Sequence, residues 1–205
     1  MKKTRRYQSP VRDRQAAQTK ARILKKAKDL FVLRGFNKVT IGQIAKESEV
    51  SMPTIYTAFH SKKGVLEALI DDSLSRKEFI TDIDLSLKET SAKKHLQETA
   101  KIARKAYDAE REIIDIVRHA AGFDPAVKNI EKQREERRGN RQQLSIQAIK
   151  DCNDRNKTIS LEKAYDIMWT LTNRGLYNSL VIDRGWSSND YEKWLAKNLI
   201  ENLCN

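Results

Sequence analysis

A chain of 205 residues with two cysteines is long enough for one well-filled domain or two small ones, and too poor in cysteine for a disulfide framework or a zinc site. No stretch approaches the roughly 20 apolar residues of a spanning helix, and the N-terminus shows no hydrophobic signal segment, so the expected compartment is the cytoplasm and no membrane partner is expected. The net charge of +12 is uneven: residues 1–75 hold 16 Lys or Arg against 7 Asp or Glu, a net of +9, and the remainder holds 24 against 21, a net of only +3.

Residues 1–15, with Lys2, Lys3, Arg5, Arg6, Arg12 and Arg14, read as a basic flexible arm. Such an arm is either a solvated tail or an extra contact to phosphate or the minor groove. From about Ala16 the spacing of Ile23, Leu24, Ala27, Leu30 and Phe31 predicts one apolar stripe on a helix, with Gly35 as its stop. Phe36 and Val39 are expected to pack beneath the elements that follow.

Thr40 to Gly64 reads as a helix-turn-helix with a third helix starting directly behind it. Thr40 followed by Gln43 is a capping-box start. Ile44 and Ala45 face the core, Val50 lies in the turn, and Ile55 and Phe59 recur at helical spacing on the second helix. Between them stand Ser51, Met52, Pro53, Thr54, Tyr56 and Thr57, short or hydroxylated side chains suited to base edges and phosphate oxygens. This pattern predicts a recognition helix for the major groove of duplex DNA. Tyr56, Thr54 and Lys62 are placed to hold phosphates; Gln43, Ser51, Met52 and Pro53 lie nearer to base edges. Gln43 is alternatively occupied in the capping box. Ser61 reads as an N-cap that puts Lys62 and Lys63 in the first turn of the next helix, where cations oppose the helix dipole unless a phosphate sits against it.

The predicted domains are the arm at 1–15, a three-helix DNA-binding domain at 16–60 and a helical domain at 61–205. The helix from Lys62 to about Lys77 joins the last two. Further helices are predicted at about 93–108 and 110–121, and one starts at Asp124-Pro125. The latter has a charged middle from Glu131 to Arg141 with Gly139 inside it, and helix resumes through Leu144, Ala148 and Ile149. From Leu161 to Ile182 apolar residues lie on two faces, and Ser188 to Leu203 is amphipathic through Tyr191, Trp194, Leu195 and Leu199. A helix apolar on two sides must be covered on two sides. One cover is the chain's own core and the other a second copy, giving a four-helix bundle across a two-fold axis. The fold class is therefore all-α.

There is no Gly-rich phosphate loop, no Gly-x-Ser-x-Gly and no His-Glu-x-x-His. His60, His95 and His119 show no ligand spacing, so neither an enzyme nor a cofactor is expected. Polar or aromatic residues on otherwise apolar helices, namely Tyr107, Arg118, His119, Trp169 and Arg174, are the candidates for contact with a small molecule. The competing reading is a non-catalytic helical protein whose basic end binds RNA or acidic partners.

The residues Leu30-Phe31, Gly35-Phe36, Thr40, Ile44-Ala45, Val50-Ser51, Pro53-Thr54-Ile55-Tyr56, Phe59, Ser61-Lys62 and Leu66 together resemble the tetracycline-repressor (TetR) family of transcription regulators. Tyr177 to Leu195 is similar to the C-terminal end of one common branch. Two positions depart from the family pattern. Glu49 stands where a Gly usually makes the turn, and Ala58 where many members carry a polar residue against phosphate, a contact that is either missing here or taken over by His60. The resemblance implies a homodimeric repressor on an inverted-repeat operator. It also implies a C-terminal domain that binds a small-molecule effector and thereby changes the spacing of the two recognition helices.

Overall fold

A computed structural model describes residues 10–74, 77–121 and 125–205, without the side chains of residues 10, 73–79, 112, 114, 115, 117–126 and 131. Among the described residues every named element is a helix, and the one extended pairing is an isolated bridge between Arg155 and Cys204. The chain divides into two compact units: Met1–Asp71 with Glu112–Lys128, and Asp72–Arg111 with Asn129–Asn205.

In the first unit, α1 spans Pro10–Arg34. It therefore starts six residues ahead of the expected Ala16, since proline is well tolerated at a first helical position. The expected arm is helical from residue 10 onward, and residues 1–9 lie outside the described residues. The predicted stripe is the buried face: Ile23, Leu24, Ala27, Leu30 and Phe31 are buried, with Phe36 and Val39 beneath them. The helix stops at Gly35, whose N–H donates to the Phe31 carbonyl at 2.9 Å. Helices α2 (Ile41–Glu47), α3 (Met52–Phe59) and α4 (Lys62–Leu74) follow. Ile44, Ile55, Val65 and Leu66 are fully buried. Each such side chain contributes roughly 1.5–3 kcal/mol on leaving water.

The second unit begins within α4 and takes in α5 (Lys77–Ser86), which the sequence reading did not anticipate, and α6 (Ala92–Ala121) as far as Arg111. The two helices expected at 93–108 and 110–121 are one, because no Pro or Gly interrupts residues 92–121. Helix α7 (Pro125–Ile149) likewise runs through Gly139 without a break. That glycine marks a close approach: a Cβ there would meet the Trp169 ring at 3.0 Å and the Tyr165 hydroxyl at 3.2 Å. Asp124, the expected N-cap, lies outside the described residues.

The single helix expected at 161–182 is broken. Helix α8 spans Leu161–Leu171, α9 is the short Arg174–Tyr177, and Asn178–Asp183 forms a π-helical turn. Asn173 adopts an extended backbone and accepts the Gly175 N–H at 2.6 Å, an N-cap that starts a new helix. Helix α10 (Ser188–Leu203) matches its expected span and is capped by Ser187. Leu195 and Leu199, apolar positions of the amphipathic helix expected at 188–203, are fully buried in their own unit with Leu96, Met168, Tyr177 and Tyr191. Tyr107, Tyr177 and Tyr191 line up through this core with ring centroids 5.3 and 5.1 Å apart. Cys152 and Cys204 are buried free thiols.

Candidate nucleic-acid interface and effector cavity

The motif in the first unit is built from contacts three residues long. The Thr40 N–H donates to Gln43 Oε1 at 2.9 Å, and the Gln43 N–H donates to Thr40 Oγ1 at 3.2 Å, which closes the capping box of α2. Gln43 is thereby held at the helix start, the second of its two readings. Ser51 is the N-cap of α3: its Oγ accepts the Thr54 N–H at 3.3 Å and lies 2.8 Å from Thr54 Oγ1. With Ile55 and Phe59 buried beneath, the opposite side of α3 presents Met52, Pro53, Tyr56 and Thr57, with Met52 51% and Tyr56 50% exposed. An exposed Met and Tyr side by side on a short helix have no packing reason to be there, whereas they suit contact with bases and phosphates.

The connections set the angle of α3. Glu49 takes φ 53 in the turn before it, as the departure from glycine required. Left-handed backbone costs a non-Gly residue roughly 1–2 kcal/mol. His60 ends α3 at φ 64 with its N–H on the Tyr56 carbonyl, so its backbone shapes the exit from the helix. The next residue, Ser61, caps α4: its Oγ accepts the Gly64 N–H at 2.9 Å. A Cβ on Gly64 would fall 1.9 Å from the Phe59 carbonyl oxygen, so only glycine permits so short a connection.

Lys62 differs from its expected role. Its Nζ donates to the carbonyls of Phe36 and Val39, both at 2.9 Å, and of Asn37 at 3.5 Å, while lying 4.4 Å from the Phe36 ring centroid. It ties the start of α4 to the 3-10 turn at Phe36–Lys38, a role invisible to a motif read by local spacing. Lys63 pairs with Glu67 at 3.1 Å. The exposed cations of this unit come chiefly from α1, which carries eight Lys or Arg against Asp13 and Asp29.

The second unit holds a polar network around the break between α8 and α9. A helix end leaves carbonyls without partners. Here Arg138 of α7 donates to the Trp169 carbonyl at 3.1 Å and to Thr172 Oγ1 at 3.3 Å, and stacks 3.8 Å from the Trp169 ring centroid. Tyr107 of α6 donates to the Thr172 carbonyl, and Gln142 to Thr172 Oγ1. Glu110, almost fully buried, accepts from both Arg134 and Arg174. Burial pushes the Tyr107 phenol up to about 12, so it stays a neutral donor. Burial also lowers the Arg141 and Arg174 guanidinium pKa values, with Glu110 acting against that shift.

This network walls a cavity of about 80 Å³. Its apolar side is Ile83, Leu87, Ile102, Ala103, Ala106 and Leu144; its polar side includes Tyr107, Arg138, Arg141 and Gln142. A second recess of about 40 Å³ shares Ala106, Tyr107, Arg138 and Arg141, and adds Arg134, Arg137, Arg174, Glu110 and Glu135. Of the five residues singled out for a ligand, Tyr107 lines both recesses and Arg174 the second. Trp169 is engaged by Arg138 and lines neither. The side chains of Arg118 and His119 lie outside the described residues. Arg138 and Arg141, in the charged run from Glu131 to Arg141, and Gln142 just after it line the cavity without having been singled out, because no local pattern marks that stretch as facing inward. Among the described residues no group of His, Cys, Asp and Glu is placed to hold a metal, and no helix is long and apolar enough to cross a membrane.

Residues 23–69 match the family described as "Bacterial regulatory proteins, tetR family". Over 59 residues the chain is 37% identical to YvkB, an HTH-type transcriptional regulator of Bacillus subtilis (strain 168), covering 29% of this chain and 31% of that protein. The chain spans about a third of the length of the curated relatives it matches. Likeness of fold extends further. The structure of the SmeT–triclosan complex superposes with a TM-score of 0.74 at 12% identity over 92% of both chains. NalD, the secondary repressor of the MexAB-OprM multidrug efflux pump in Pseudomonas aeruginosa, gives a TM-score of 0.70 at 17% identity over 93% of this chain and 98% of that one. The chain thus has the all-α fold of a TetR-family transcriptional regulator, an N-terminal helix-turn-helix followed by a helical domain.

Proposed function

With residues 23–69 belonging to the tetR family of bacterial regulatory proteins, we propose that the chain is a cytoplasmic transcriptional repressor that binds an inverted-repeat operator as a homodimer and releases it when the second unit takes up a small molecule. The observation that carries this is the outward face of α3. Met52, Pro53, Tyr56 and Thr57 face solvent on a helix whose other side is locked into the core by Ile55 and Phe59. They make the base and phosphate contacts in the major groove. Thr40, Gln43, Ser51, Thr54, His60 and Lys62 act mainly by holding that helix at its angle, and Thr40 and His60 are exposed enough to reach phosphate as well. The cations of α1 and the N-terminal arm supply sequence-independent attraction.

The second copy covers the half-exposed apolar residues that α8 and α10 leave at the surface, such as Leu161, Leu171, Trp194 and Ile200. Exposed Ile182 and Trp186 extend that face. Triclosan in the SmeT complex and the repressor role of NalD, proteins of the same fold, support the effector and repressor parts of the reading.

The test is selection of operators from a random duplex library, followed by anisotropy titrations at several salt concentrations. Tyr56→Ala and Thr57→Ala are expected to weaken the selected duplex at least tenfold. Lys62→Ala is expected to lower stability and leave the salt slope unchanged; a slope reduced by roughly one unit would return Lys62 to the phosphate-binding set. Equal affinity for all duplexes and for RNA sinks the regulator reading in favour of a general binder of acidic partners. Light scattering checks assembly: a monomer at micromolar concentration removes the dimer.

A further inference from the structure

We infer that the molecule taken up by the second unit is an apolar body bearing one hydrogen-bond donor, a hydroxyl or N–H group, and that this group is held by Gln142 Oε1. The inference rests on the reading that this unit binds a small molecule, and it names the group by which that molecule is recognised.

Gln142 belongs to the wall of the cavity. Arg138, Arg141, Gln142 and Ser145 recur at helical spacing on α7, so they share one stripe, and all four line the cavity. The Gln142 side chain is itself buried, at 5% exposure. Its amide orientation follows from Thr172. The Thr172 hydroxyl donates its one hydrogen to the Met168 carbonyl at 2.7 Å, so toward α7 it can only accept. It accepts from Arg138 at 3.3 Å and from Gln142 Nε2. The opposite orientation of the amide would set Oε1 against an oxygen that has no hydrogen left to give. Nε2 is therefore fixed on Thr172, and Oε1 is left buried and without a partner. A buried acceptor in that state keeps the full cost of having left water, and a ligand that brings a donor removes it.

The rest of the wall sets the rest of the ligand. Ile83, Leu87, Ile102, Ala103, Ala106 and Leu144 make one side aliphatic. Several polar groups of the lining are already engaged within the protein. Tyr107 donates to the Thr172 carbonyl, Thr99 Oγ1 donates to the His95 carbonyl at 2.9 Å, and Ser86 Oγ lies 3.2 Å from His95 Nδ1. At roughly 10–15 Å³ of such volume per water, a cavity of about 80 Å³ has room for several waters. One of them could satisfy Oε1, but each of the others needs two or more polar partners, which the aliphatic side does not offer. A short apolar body with a single donor fits both the volume and the one stranded acceptor.

Two pairs of isomers separate the donor from everything else: hexanol against methyl pentyl ether, and benzyl alcohol against anisole. Each pair has the same atoms, and only the alcohol carries an O–H. A hydroxyl is harder to take out of water than an ether oxygen, so a cavity that offers it no acceptor favours the ether. Full-length protein is titrated with each compound by calorimetry, and affinity for the selected duplex is measured with and without it. Each alcohol is expected to bind roughly fivefold or more tighter than its isomer. Gln142→Met keeps the length of the side chain and removes both polar atoms, and is expected to bring the affinity for each alcohol down to that for its ether or below. A fall of both by the same factor, with the preference kept, assigns Gln142 a structural role and overturns the inference. If Gln142→Met fails to fold, the isomer pairs on the unaltered protein still decide. Ethers binding as tightly as their alcohols overturn the inference, and leave the effector reading standing if duplex affinity falls with either. Absence of binding by all four, which would mean that the cavity holds water only, also overturns it. Alcohol-selective binding with no change in duplex affinity upholds the ligand class and sinks the effector reading instead.

Discussion

In the first unit the side-chain hydrogen bonds that cap the helices of the motif join Thr40 to Gln43, Ser51 to Thr54 and Ser61 to Gly64, each three residues apart, and Lys62 alone among those described above reaches further, to Phe36 and Val39. In the second they join Ala92 to Asp154, Tyr107 to Thr172, Asp108 to Ser188 and Arg104 to Glu192, between 62 and 88 residues apart. The first unit is thus assembled from short elements that each define their own ends, with apolar packing holding them together. The second depends on polar pairs, part-buried at Ala92–Asp154, Asp108–Ser188 and Arg104–Glu192 and buried at Tyr107–Thr172, that form only once distant segments have met. A local cap lost at the surface is partly replaced by water. A partner lost from a buried network leaves the other group stranded, at a larger cost.

The strongest challenge to this contrast is Glu110→Ala. It leaves the Arg134 and Arg174 guanidinium groups without their shared carboxylate and is expected to destabilise by about 3–5 kcal/mol in urea unfolding. A loss below 1 kcal/mol would mean that the network is no more demanding than a surface cap. Next, Leu195→Ala opens a cavity in the second unit and is expected to cost about 2–5 kcal/mol. The mass measured by light scattering is expected to be unchanged, because Leu195 is core; dissociation without destabilisation would place it at an interface instead. Gly64→Ala tests the tightest point of the first unit. It places a Cβ against the Phe59 carbonyl and is expected to cost roughly 1–3 kcal/mol or more, with DNA affinity falling as α3 tilts. A neutral result would show that the connection yields easily.

A matched pair of caps sharpens the comparison. Asp154 accepts from the Ala92 and Lys93 amides at 2.8 and 3.0 Å and from the Ser91 hydroxyl at 2.8 Å, capping α6 from far along the chain. Burial works to raise its pKa, but these bonds outweigh burial and hold it down at about 2, below the ordinary 3.8. Its contribution is therefore present above pH 3.8 and is lost as pH falls toward about 2. Asp154→Ala is expected to cost about 1.5 kcal/mol at neutral pH, and to flatten the acid limb of the stability curve. Thr40→Ala is expected to cost about 1 kcal/mol with no change in that limb. The reverse ranking would erase the distinction between near and distant caps. The smallest effect is expected at Glu49→Gly. Relief of left-handed strain is offset by added freedom in the unfolded chain, leaving a gain of at most about 1 kcal/mol in melting experiments.

The same contrast explains which residues were legible. The capping box at Thr40, the stripe on α1, the cap at Ser61 and the span of α10 each depend on neighbours within one or two turns, and each was readable from spacing. The bracing role of Lys62 was not legible because its acceptors at Phe36 and Val39 lie more than twenty residues back. The break after Leu171 was masked by an apolar pattern that continues across it, although Asn173 followed two residues later by Gly175 was a usable cap signal. Arg138 and Arg141 looked like solvated charges because nothing local indicates that the carbonyl ends of α8 and the face of α6 would close over them.

By itself, then, the chain specified the apolar stripe of α1, the capped start of α2, the span of α10, the face that α3 turns outward and the uneven charge that favours a polyanion, since periodicity, caps and charge are properties of contiguous residues. Only the tertiary structure decided that Leu195 and Leu199 are core, that Lys62 braces the motif, and that a run of arginines faces inward around a cavity. Those outcomes depend on which side chains from distant segments share a low-dielectric space, and burial and pairing of that kind come into being only when the helices pack.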